Sequence, residues 1–264
     1  MFALEKLVII PTYNEIENIS LILRAIFDLK LNYHVLVIDD SSPDGTAENV
    51  EELQIFYAEQ LFLIKRHDKL GLGTAYIEGF KWAIENGYEF IFEMDADFSH
   101  NPADLERLFT ACKYDGYDVA IGSRYVTGGS IENWPLDRHI YSKGGALYTR
   151  IITFMPVKDP TAGFLCYRQN VLKTINFDEI KFIGYAFQIE MKFAAWKLGF
   201  KIKEIPIVFI DRKTGISKMS GRILKEGVLG VLAIQFKSLF GNYRKRMRTT
   251  SNNFKKPVFT ETKI

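Results

Sequence analysis

The sequence predicts an α/β protein built on a mostly parallel central sheet that helices cover on its faces. Short apolar runs rich in Val, Ile and Phe alternate along the chain with segments of helical periodicity, as expected where a helix follows each strand. Polar and acidic residues come directly after several of these runs, where the loops of a parallel sheet converge. Since no internal repeat or low-complexity linker divides the chain, we expect a single sheet domain.

Seven apolar runs are the candidate strands, and three segments are the clearest candidate helices. The strands are expected at residues 7–10, 34–38, 61–64, 90–94, 119–121, 163–167 and 205–209. Apolar side chains recur at helical spacing from Ile16 to Phe27, with Glu15 and Glu17 in the acidic first turn that a helix favours. Further helices are expected at 74–85, which an Asn-Gly pair ends, and at 185–198, which a glycine ends.

The last part of the chain differs in character from the sheet domain, which we expect to cover residues 1–218. Residues 222–240 are apolar but interrupted by Lys225, Glu226 and Lys237. Those charges disfavour a membrane span and favour amphipathic helices that lie in a membrane interface, which we place at residues 219–243. A single helix folded against the domain is the alternative interpretation.

A basic tail follows at residues 244–264, which we expect to be disordered. From residue 241 to the end there are seven Lys/Arg and one acid, a balance of +6 in a chain whose net charge is +2. A basic tail on a slightly acidic body favours an anionic partner, or it is simply solvated and binds nothing. Nucleic-acid binding is not expected, because no pattern of aromatic and basic residues accompanies the tail.

The cysteine count and the N-terminus predict a reducing, cytoplasmic location. Cys112 and Cys166 are too few for a disulfide framework, and no metal-binding Cys/His spacing surrounds them. The first apolar run lacks the basic region and cleavage site of a signal peptide. No uninterrupted apolar stretch reaches the length of a membrane span.

The first two strands end in residues that suit a nucleoside. After the first strand, Tyr13 and Glu15 offer a flat ring and a carboxylate for a nucleobase, although a Pro-Tyr-Asn turn is also ordinary loop chemistry. After the second strand, Asp39 and Asp40 can accept hydrogen bonds from ribose hydroxyls or a base edge. Asp44 in the following Ser-Pro-Asp-Gly turn has an equally good interpretation as a turn or cap residue.

The fourth apolar run ends in Asp95-Ala-Asp97, and this pair is the strongest sign of chemistry. Two aspartates at the exit of a buried strand are costly unless something compensates their charge. A divalent cation that bridges a diphosphate does so, and hard carboxylate oxygens match Mg²⁺ or Mn²⁺. Helix capping by Asp97 or Ser99 is the alternative.

Basic residues follow further along the chain at Arg124, Arg138, Arg212 and Lys218. The planar guanidinium fork matches phosphate oxygens, and lysine adds a point charge. Acids that bind a metal together with several phosphate-seeking cations suit a reaction between two phosphorylated substrates. Taken singly, each arginine is equally well interpreted as a surface charge.

With these residues assembled, the chain resembles the dolichol-phosphate (polyprenol monophosphate) mannosyltransferases of glycosyltransferase family two. The resemblance runs from about residue 6 to residue 237. The matching motifs are PTYNE at 11–15, DDSSPDGT at 39–46, LGLGTAY at 70–76, MDADFSH at 94–100, GSRY at 122–125, DPTAGF at 159–164, YAFQIEM at 185–191 and DRKTGISK at 211–218. It implies the GT-A fold and the shorter, membrane-peripheral form of the family without transmembrane helices.

The resemblance also implies roles for individual residues at the donor site. The residues implied to hold the guanosine of GDP-mannose are Pro11, Tyr13, Glu15, Ile38 and Asp40. Those implied for the metal and diphosphate are Asp95, Ala96 and Asp97, with Mg²⁺ or Mn²⁺ as the cofactor. Some members of the family have Gln at the position of Ser99, so water is expected in place of a third side-chain ligand.

For the acceptor, the resemblance implies a dolichyl or polyprenyl monophosphate at the cytoplasmic face of a membrane. Arg124, Arg212 and Lys218 are implied to contact phosphates and, with Asp97, to form the catalytic group; Arg138 is implied to help at the acceptor. The candidates for sugar contacts, with structural hydrogen bonds as the alternative, are Asp159, Gln188 and Glu190. The resemblance does not indicate whether a partner subunit is needed.

The mechanism expected on this basis is an inverting transfer that gives a β-linked mannosyl phospholipid and GDP. A phosphate monoester already bears a nucleophilic oxygen at pH 7, so a strong general base is not required. Two alternatives remain open from the residues alone. One is the same chemistry with UDP-glucose or another nucleotide sugar, and the other is a non-catalytic module that binds sugar nucleotides or membranes.

Overall fold

The computed structural model describes residues 4–184, 186–211, 221–240 and 243–244. Its strands are β1 (Lys6–Thr12), β2 (His34–Asp39), β3 (Leu61–Lys65), β4 (Phe90–Glu93), β5 (Val119–Ser123), β6 (Ser130–Glu132), β7 (Leu165–Arg168), β8 (Ile202–Pro206) and β9 (Val208–Ile210). Its helices are α1 (Ile19–Phe27), α2 (Thr46–Gln54), α3 (Leu72–Glu85), α4 (Leu105–Lys113), α5 (Leu136–Thr153), α6 (Gln169–Thr174), α7 (Ala186–Lys197) and α8 (Gly221–Phe240).

The central sheet has seven strands in the order β3-β2-β1-β4-β7-β5-β8. All neighbouring pairs are parallel except those of β7, which runs antiparallel to both β4 and β5. A second, small sheet pairs β6 with β9 in parallel. The predicted mostly parallel sheet is therefore confirmed, and the order of strands brings the ends of β1, β2, β4 and β5 to one edge.

Both faces of the sheet are covered by helices, which explains the continuous apolar runs in its central strands. In β1, Leu7 and Ile9 pack into the core on one face, whereas Val8 and Ile10 pack into the core on the other. Helices α3, α6, α7 and α8 contribute to the first core, and α1, α2 and α4 contribute to the second. A strand buried on both sides has no polar face, so its sequence shows a continuous apolar run instead of alternation.

The last predicted strand differs from the structure. The run expected as one strand at 205–209 is divided between β8 and β9, which belong to different sheets. Ile207 stands between them, buried, and its N–H donates to the Ser123 carbonyl at 3.1 Å. An apolar run does not reveal that the chain leaves one sheet for another, because burial is the same in both.

Helix α5 is absent from the prediction, although it is 18 residues long. Its buried positions are small or polar, namely Ala146, Thr149 and Thr153. Its large apolar side chains, such as Leu147 and Ile151, are exposed instead. The periodicity that marks a helix packed on a core is therefore missing from this segment.

Helix α8 occupies most of the segment predicted to lie in a membrane interface, and it packs against α5 and α7. Val231 and Ile234 are buried, and the Tyr148 hydroxyl donates to the Val228 carbonyl at 3.0 Å. One side of α8 is thus folded against the domain, as in the alternative interpretation. On its other side, Leu229 and Phe236 are exposed. Within the described ranges, no helix is long and apolar enough to cross a membrane. The predicted boundary at residue 218 and residues 245–264 of the predicted tail lie outside the described residues.

Candidate active site

A cavity of about 470 Å³ opens at the carboxyl-terminal edge of the central sheet. The loops that follow β1, β2, β4 and β5 form one part of its wall, and α5, α7 and α8 contribute further residues. In open α/β sheets this edge is the usual place for a ligand, because loops and helix N-termini converge there. Acidic and basic side chains that lie far apart in the sequence meet around this one cavity.

The Asp95–Asp97 pair lies in the cavity wall where β4 ends. The Asp95 side chain is 43% exposed, whereas Asp97 is buried and accepts a hydrogen bond from the Ser99 N–H at 3.1 Å. Gly163 lies opposite, and a Cβ there would stand 3.7 Å from the Asp95 carboxylate. A strand that stays buried up to Glu93 and then turns outward thus presents two carboxylates to the cavity.

This arrangement fits a divalent cation that protein and substrate hold together. Among the described residues, no group of three or more His, Cys, Asp or Glu side chains converges into a complete cage. Mg²⁺ and Mn²⁺ accept one or two carboxylates when substrate phosphate and water oxygens complete the shell. Asp95 and Asp97 would be the protein ligands in such a site.

His100 stands beside the acidic pair and was not singled out by the sequence. Its ring stacks on Phe164 with centroids 5.0 Å apart and meets Phe209 edge-on at 5.4 Å. Burial is the main cause that lowers the pKa of His100 to about 4, so the imidazole is neutral at pH 7. Its Nδ1 lies 4.0 Å from Oδ2 of Asp95. The signal that could have identified His100 in the sequence is its place directly after Ser99, three residues beyond Asp97.

The loops after β1 and β2 carry the residues predicted for a nucleoside. Tyr13 lies under the ammonium group of Lys69, which is 3.7 Å from the ring centre. Asp40 accepts hydrogen bonds from Nη1 of Arg66 at 2.7 Å and from the Gly71 N–H at 3.2 Å. Asp40 therefore orders the start of α3 in this structure, and its carboxylate still lines the cavity.

The two other acids of the second loop have structural partners. Asp39 accepts from the Ser42 N–H at 2.8 Å and from the Thr12 hydroxyl at 2.9 Å. Asp44 accepts from the Thr46 N–H at 3.1 Å and its hydroxyl at 2.6 Å, which supports the interpretation as a turn residue. Burial alone would raise the pKa of Asp44, but these hydrogen bonds outweigh it and lower the pKa.

Arg124 follows β5 and is held by a buried carboxylate. Its Nε and Nη2 donate to the two oxygens of Asp159 at 2.8 and 2.6 Å, and Nη2 also donates to the Thr161 hydroxyl at 2.9 Å. Burial would raise the pKa of Asp159, but the charge and hydrogen bonds of Arg124 together hold it below the ordinary value. Asp159 thus fixes the orientation of a guanidinium that lines the cavity.

A second arginine enters the cavity from α5. Arg138 donates from Nη1 to Asp211 at 2.8 Å, and its guanidinium lies 4.1 Å from the centre of the Trp134 ring. Arg124 lies 5.6 Å from the centre of the same ring. Trp134 therefore lies within cation–π distance of two arginines that line one cavity, an arrangement that suits an anionic ligand.

Behind the cavity wall, a polar network connects β4 with α7. Lys192 is fully buried and donates to the Ala162 carbonyl at 2.6 Å and to the side chain of Gln188 at 3.1 Å. Gln188 in turn donates to Glu93, which is also fully buried. Burial is the main cause that raises the pKa of Glu93 to about 7 and lowers that of Lys192 to about 8, while their opposite charges act against both shifts.

Most of the residues predicted for the site come together around the cavity, but not all of them. Those in its wall are Pro11, Tyr13, Glu15, Asp40, Asp95, Ala96, Asp97, Arg124, Arg138 and Gln188. Ile38 lies in the core below it, and Asp159 is buried beneath Arg124. Glu190 is buried away from the wall, where it accepts from the N–H groups of Lys181 and Phe182 at 2.8 and 3.1 Å. Arg212 and Lys218 lie outside the described residues.

This combination of fold and site is that of a transferase acting on activated sugars, and the comparison with family models agrees. Residues 7–175 match the model of glycosyl transferase family 2. The chain belongs to this family and is a glycosyltransferase, so the interpretation as a non-catalytic module is abandoned.

Two characterised relatives match over most of their length. A polyprenol monophosphomannose synthase of Mycolicibacterium smegmatis is 44% identical over 225 residues, which cover 85% of this chain and 84% of the relative. An undecaprenyl-phosphate mannosyltransferase of Micrococcus luteus is 45% identical over 225 residues, covering 85% and 91%. The resemblance to polyprenol-phosphate mannosyltransferases is therefore confirmed.

Solved structures share the architecture at much lower identity. Glucosyl-3-phosphoglycerate synthase from Mycobacterium tuberculosis superposes with a TM-score of 0.67 at 16% identity, covering 89% of this chain and 81% of the other. A mannosyltransferase from Pyrobaculum calidifontis, solved with GDP-Man and Mn²⁺, gives 0.56 at 15% identity, covering 90% and 64%. These likenesses concern the fold, and they confirm the predicted GT-A architecture.

Proposed function

We propose that this enzyme transfers mannose from GDP-mannose to a polyprenyl monophosphate with inversion, giving a β-linked mannosyl phospholipid and GDP. The observation that carries the proposal is one cavity in which Asp95 and Asp97 face Arg124 and Arg138. Such a site has groups for a diphosphate-bound metal and for a second phosphate. The two relatives at 44% and 45% identity act on polyprenol-type lipids according to their names, which supports the same acceptor class here.

At the donor side, the residues after β1 and β2 are proposed to hold guanosine. Tyr13 and Glu15 line the cavity with Asp40, and the Tyr13 ring offers a face on which a base can stack. Ile38 is proposed to act from the core, as the support on which this loop rests. The Pyrobaculum mannosyltransferase, which shares the fold, was solved with GDP-Man, and this supports the choice of nucleotide.

The diphosphate is proposed to bind at Asp95, Ala96 and Asp97 with a divalent metal. When bound, the metal stabilises the negative charge that develops on the departing GDP. The two aspartates hold their carboxylates toward the cavity, and the Ser99 N–H orients Asp97. Arg212 and Lys218 are proposed to contact the phosphates from the segment after Asp211.

At the acceptor side, Arg124 and Arg138 are proposed to hold the lipid phosphate in line with the anomeric carbon. The phosphate oxygen needs no general base because it is already ionised at pH 7, so placement is the main task of the protein. Asp159 orients Arg124 through a bidentate pair, and Asp211 orients Arg138. Gln188 is the candidate for a contact to the sugar, since it lies in the cavity wall.

The acceptor is a lipid, so the enzyme is proposed to work at the cytoplasmic face of a membrane without crossing it. Residues 219–243 are proposed to lie at the membrane surface and residues 244–264 to form a basic tail. The seven Lys/Arg from residue 241 onward support attraction to anionic lipid.

The donor is tested by incubating the purified chain with Mn²⁺, undecaprenyl phosphate and one sugar nucleotide at a time. We expect turnover with GDP-mannose and at least about a hundredfold less with UDP-glucose or UDP-N-acetylglucosamine, because polar groups that pair with one base are left unpaired by another. Turnover with a UDP-sugar alone would overturn the assignment of mannose and guanosine.

The acidic pair is tested with Asp97→Ala. We expect a loss of turnover of roughly 10²-fold or more, because charge on the leaving group is no longer stabilised. Thermal unfolding and Mn²⁺ binding are measured alongside, and Asp115→Ala in the exposed turn after α4 is the matched control. Full activity in a folded Asp97→Ala enzyme would contradict the role of this pair.

A further inference from the structure

Helix α5 carries a stripe of large apolar side chains that nothing in the described structure covers. Leu136, Ile140, Leu147 and Ile151 are between 54% and 76% exposed, and Phe154, directly after the helix, is 74% exposed. At about 100° per residue, the four helical positions fall within an arc of about 60°. Single exposed apolar residues are common on proteins, but four large apolar side chains aligned on one side of an 18-residue helix mark an interaction surface.

Cationic side chains border this stripe on one side. Lys143 and Arg150 lie on the flank of the arc and are exposed, as is Lys158 in the loop that follows α5. Together with Arg124 and Tyr125 they line a cleft of about 340 Å³. Among the described residues that line this cleft, none is acidic.

The opposite side of α5 belongs to the active site. The residues of α5 that line the catalytic cavity are Arg138, Tyr141, Ser142, Gly145, Tyr148 and Thr149. One helix therefore separates the cavity from the apolar stripe. A surface that covers the stripe would therefore lie one helix away from the cavity.

We propose that the α5 stripe and its cationic cleft dock the enzyme onto an anionic bilayer, with the stripe in the interface and lipid phosphates at Lys143, Arg150 and Lys158. The inference rests on the proposed lipid acceptor, and it adds α5 to residues 219–264 as a part of the chain that meets the membrane; α5 packs against α8 of that segment. An apolar stripe edged by Lys and Arg is the pattern of a helix that lies in a membrane interface. The cleft binds the phosphates of lipid headgroups, and the side chains of the adjoining stripe contact the acyl chains.

Charge favours a bilayer over a second copy of the chain. In a two-fold dimer that pairs the stripes of antiparallel helices, the same flank of both subunits meets, so the lysines and arginine beside the stripe would lie close to their own copies. Like charges in an interface disfavour association. An anionic membrane instead attracts each of these cations, and the attraction falls with ionic strength.

The test uses the full chain in flotation with vesicles of phosphatidylcholine alone or with 30% phosphatidylglycerol. The stripe variant combines Ile140→Gln, Leu147→Gln and Ile151→Gln, and the cation variant combines Lys143→Gln, Arg150→Gln and Lys158→Gln. We expect each variant to weaken partitioning onto the anionic vesicles by roughly tenfold or more. Added salt should weaken vesicle binding of the wild type more than that of the cation variant.

Matched controls change the same residue types elsewhere on the surface. Ile55→Gln with Phe56→Gln removes apolar side chains that are 79% and 77% exposed, and Lys81→Gln with Lys173→Gln removes exposed lysines. These controls should partition like the wild type. Because every changed side chain is exposed, thermal unfolding should stay within a few degrees in all variants.

Separate readouts distinguish failure of this inference from failure of the proposed function. Turnover is measured with a short-chain, water-soluble prenyl phosphate and with undecaprenyl phosphate in vesicles. The stripe and cation variants should keep turnover of the soluble acceptor and lose turnover of the embedded one. A wild type that binds vesicles but uses no prenyl phosphate refutes the function and leaves the docking surface standing.

Two outcomes would overturn the docking surface. One is unchanged vesicle binding in both variants, which would assign docking to another part of the chain. The other is a dimer in analytical ultracentrifugation that the stripe variant converts to a monomer while its vesicle binding is unchanged. That result would make a second copy the occupant of the stripe.

Discussion

Replacing Lys192 with Met removes the cation from the buried network behind the cavity. The ammonium group donates to the Ala162 carbonyl at 2.6 Å and to the Gln188 carbonyl and side-chain oxygen at 3.1 Å each. The variant leaves the Ala162 carbonyl without this donor and Glu93 without a compensating charge. Glu93 limits the loss by taking a proton, so we expect a decrease in the free energy of unfolding of about 3 kcal/mol, the low end for breaking a buried charge pair.

Urea denaturation followed by circular dichroism measures this change. Lys197→Met, on the exposed side of the same helix, is the control and should stay within about 0.5 kcal/mol of the wild type. Combining Lys192→Met with Glu93→Gln should cost less than the sum of the two single changes, by at least about 1 kcal/mol, because the second change removes the unpaired acid. Strict additivity, or a loss below about 1 kcal/mol for Lys192→Met, would refute the coupling between these residues.

The remaining predictions concern pH and packing. The folded state keeps the proton of Glu93 up to about pH 7, whereas the unfolded chain releases it near 4.5, so this group lowers stability as pH rises through that window. Glu93→Gln should remove a slope on the order of 1 kcal/mol per pH unit in urea titrations, and an unchanged slope would contradict the raised pKa. The folded-state pKa of Asp159 lies below 3.8, so this carboxylate stabilises the folded state above that pH and ceases to do so as the pH falls further. The difference in free energy of unfolding between wild type and Asp159→Asn should therefore shrink in acid. Gly73→Ala should lower the melting temperature by several degrees, because its Cβ would lie 2.7 Å from the Phe187 ring, whereas Gly144→Ala in open space should raise it slightly. Equal effects of the two alanines would show that the contact at Gly73 relaxes freely.

The strands of the central sheet were predictable because burial on both faces leaves a strong local signal. Runs such as residues 7–10 and 35–38 are apolar and fully buried throughout, and the structure places strands over both. Helix α5 could not be predicted in the same way, because Leu147 and Ile151 face outward while Thr149 faces inward. When the large apolar side chains of a helix do not pack on the core of the protein, their spacing in the sequence does not predict which side of the helix is buried.

In the active site, the residues at strand ends were predictable and their partners were not. Asp95 and Asp97 follow an apolar run, and Tyr13 follows another, so the order of strands was enough to bring them together. The pairing of Arg124 with Asp159 depends on a separation of 35 residues and on the direction of β7, which spacing does not reveal. Lys192 looks like a surface lysine in the sequence, and only the packing of α7 shows that it is buried.

The identity of the product tests the central claim most directly. The full chain is incubated with GDP-mannose, Mn²⁺ and undecaprenyl phosphate in anionic vesicles, and the lipid product is analysed by mass spectrometry and by NMR of its anomeric centre. We expect a β-linked mannosyl phospholipid together with one GDP per lipid formed. An α-linked product, or free mannose without a mannosyl lipid, would contradict the proposed in-line attack of the lipid phosphate on the anomeric carbon.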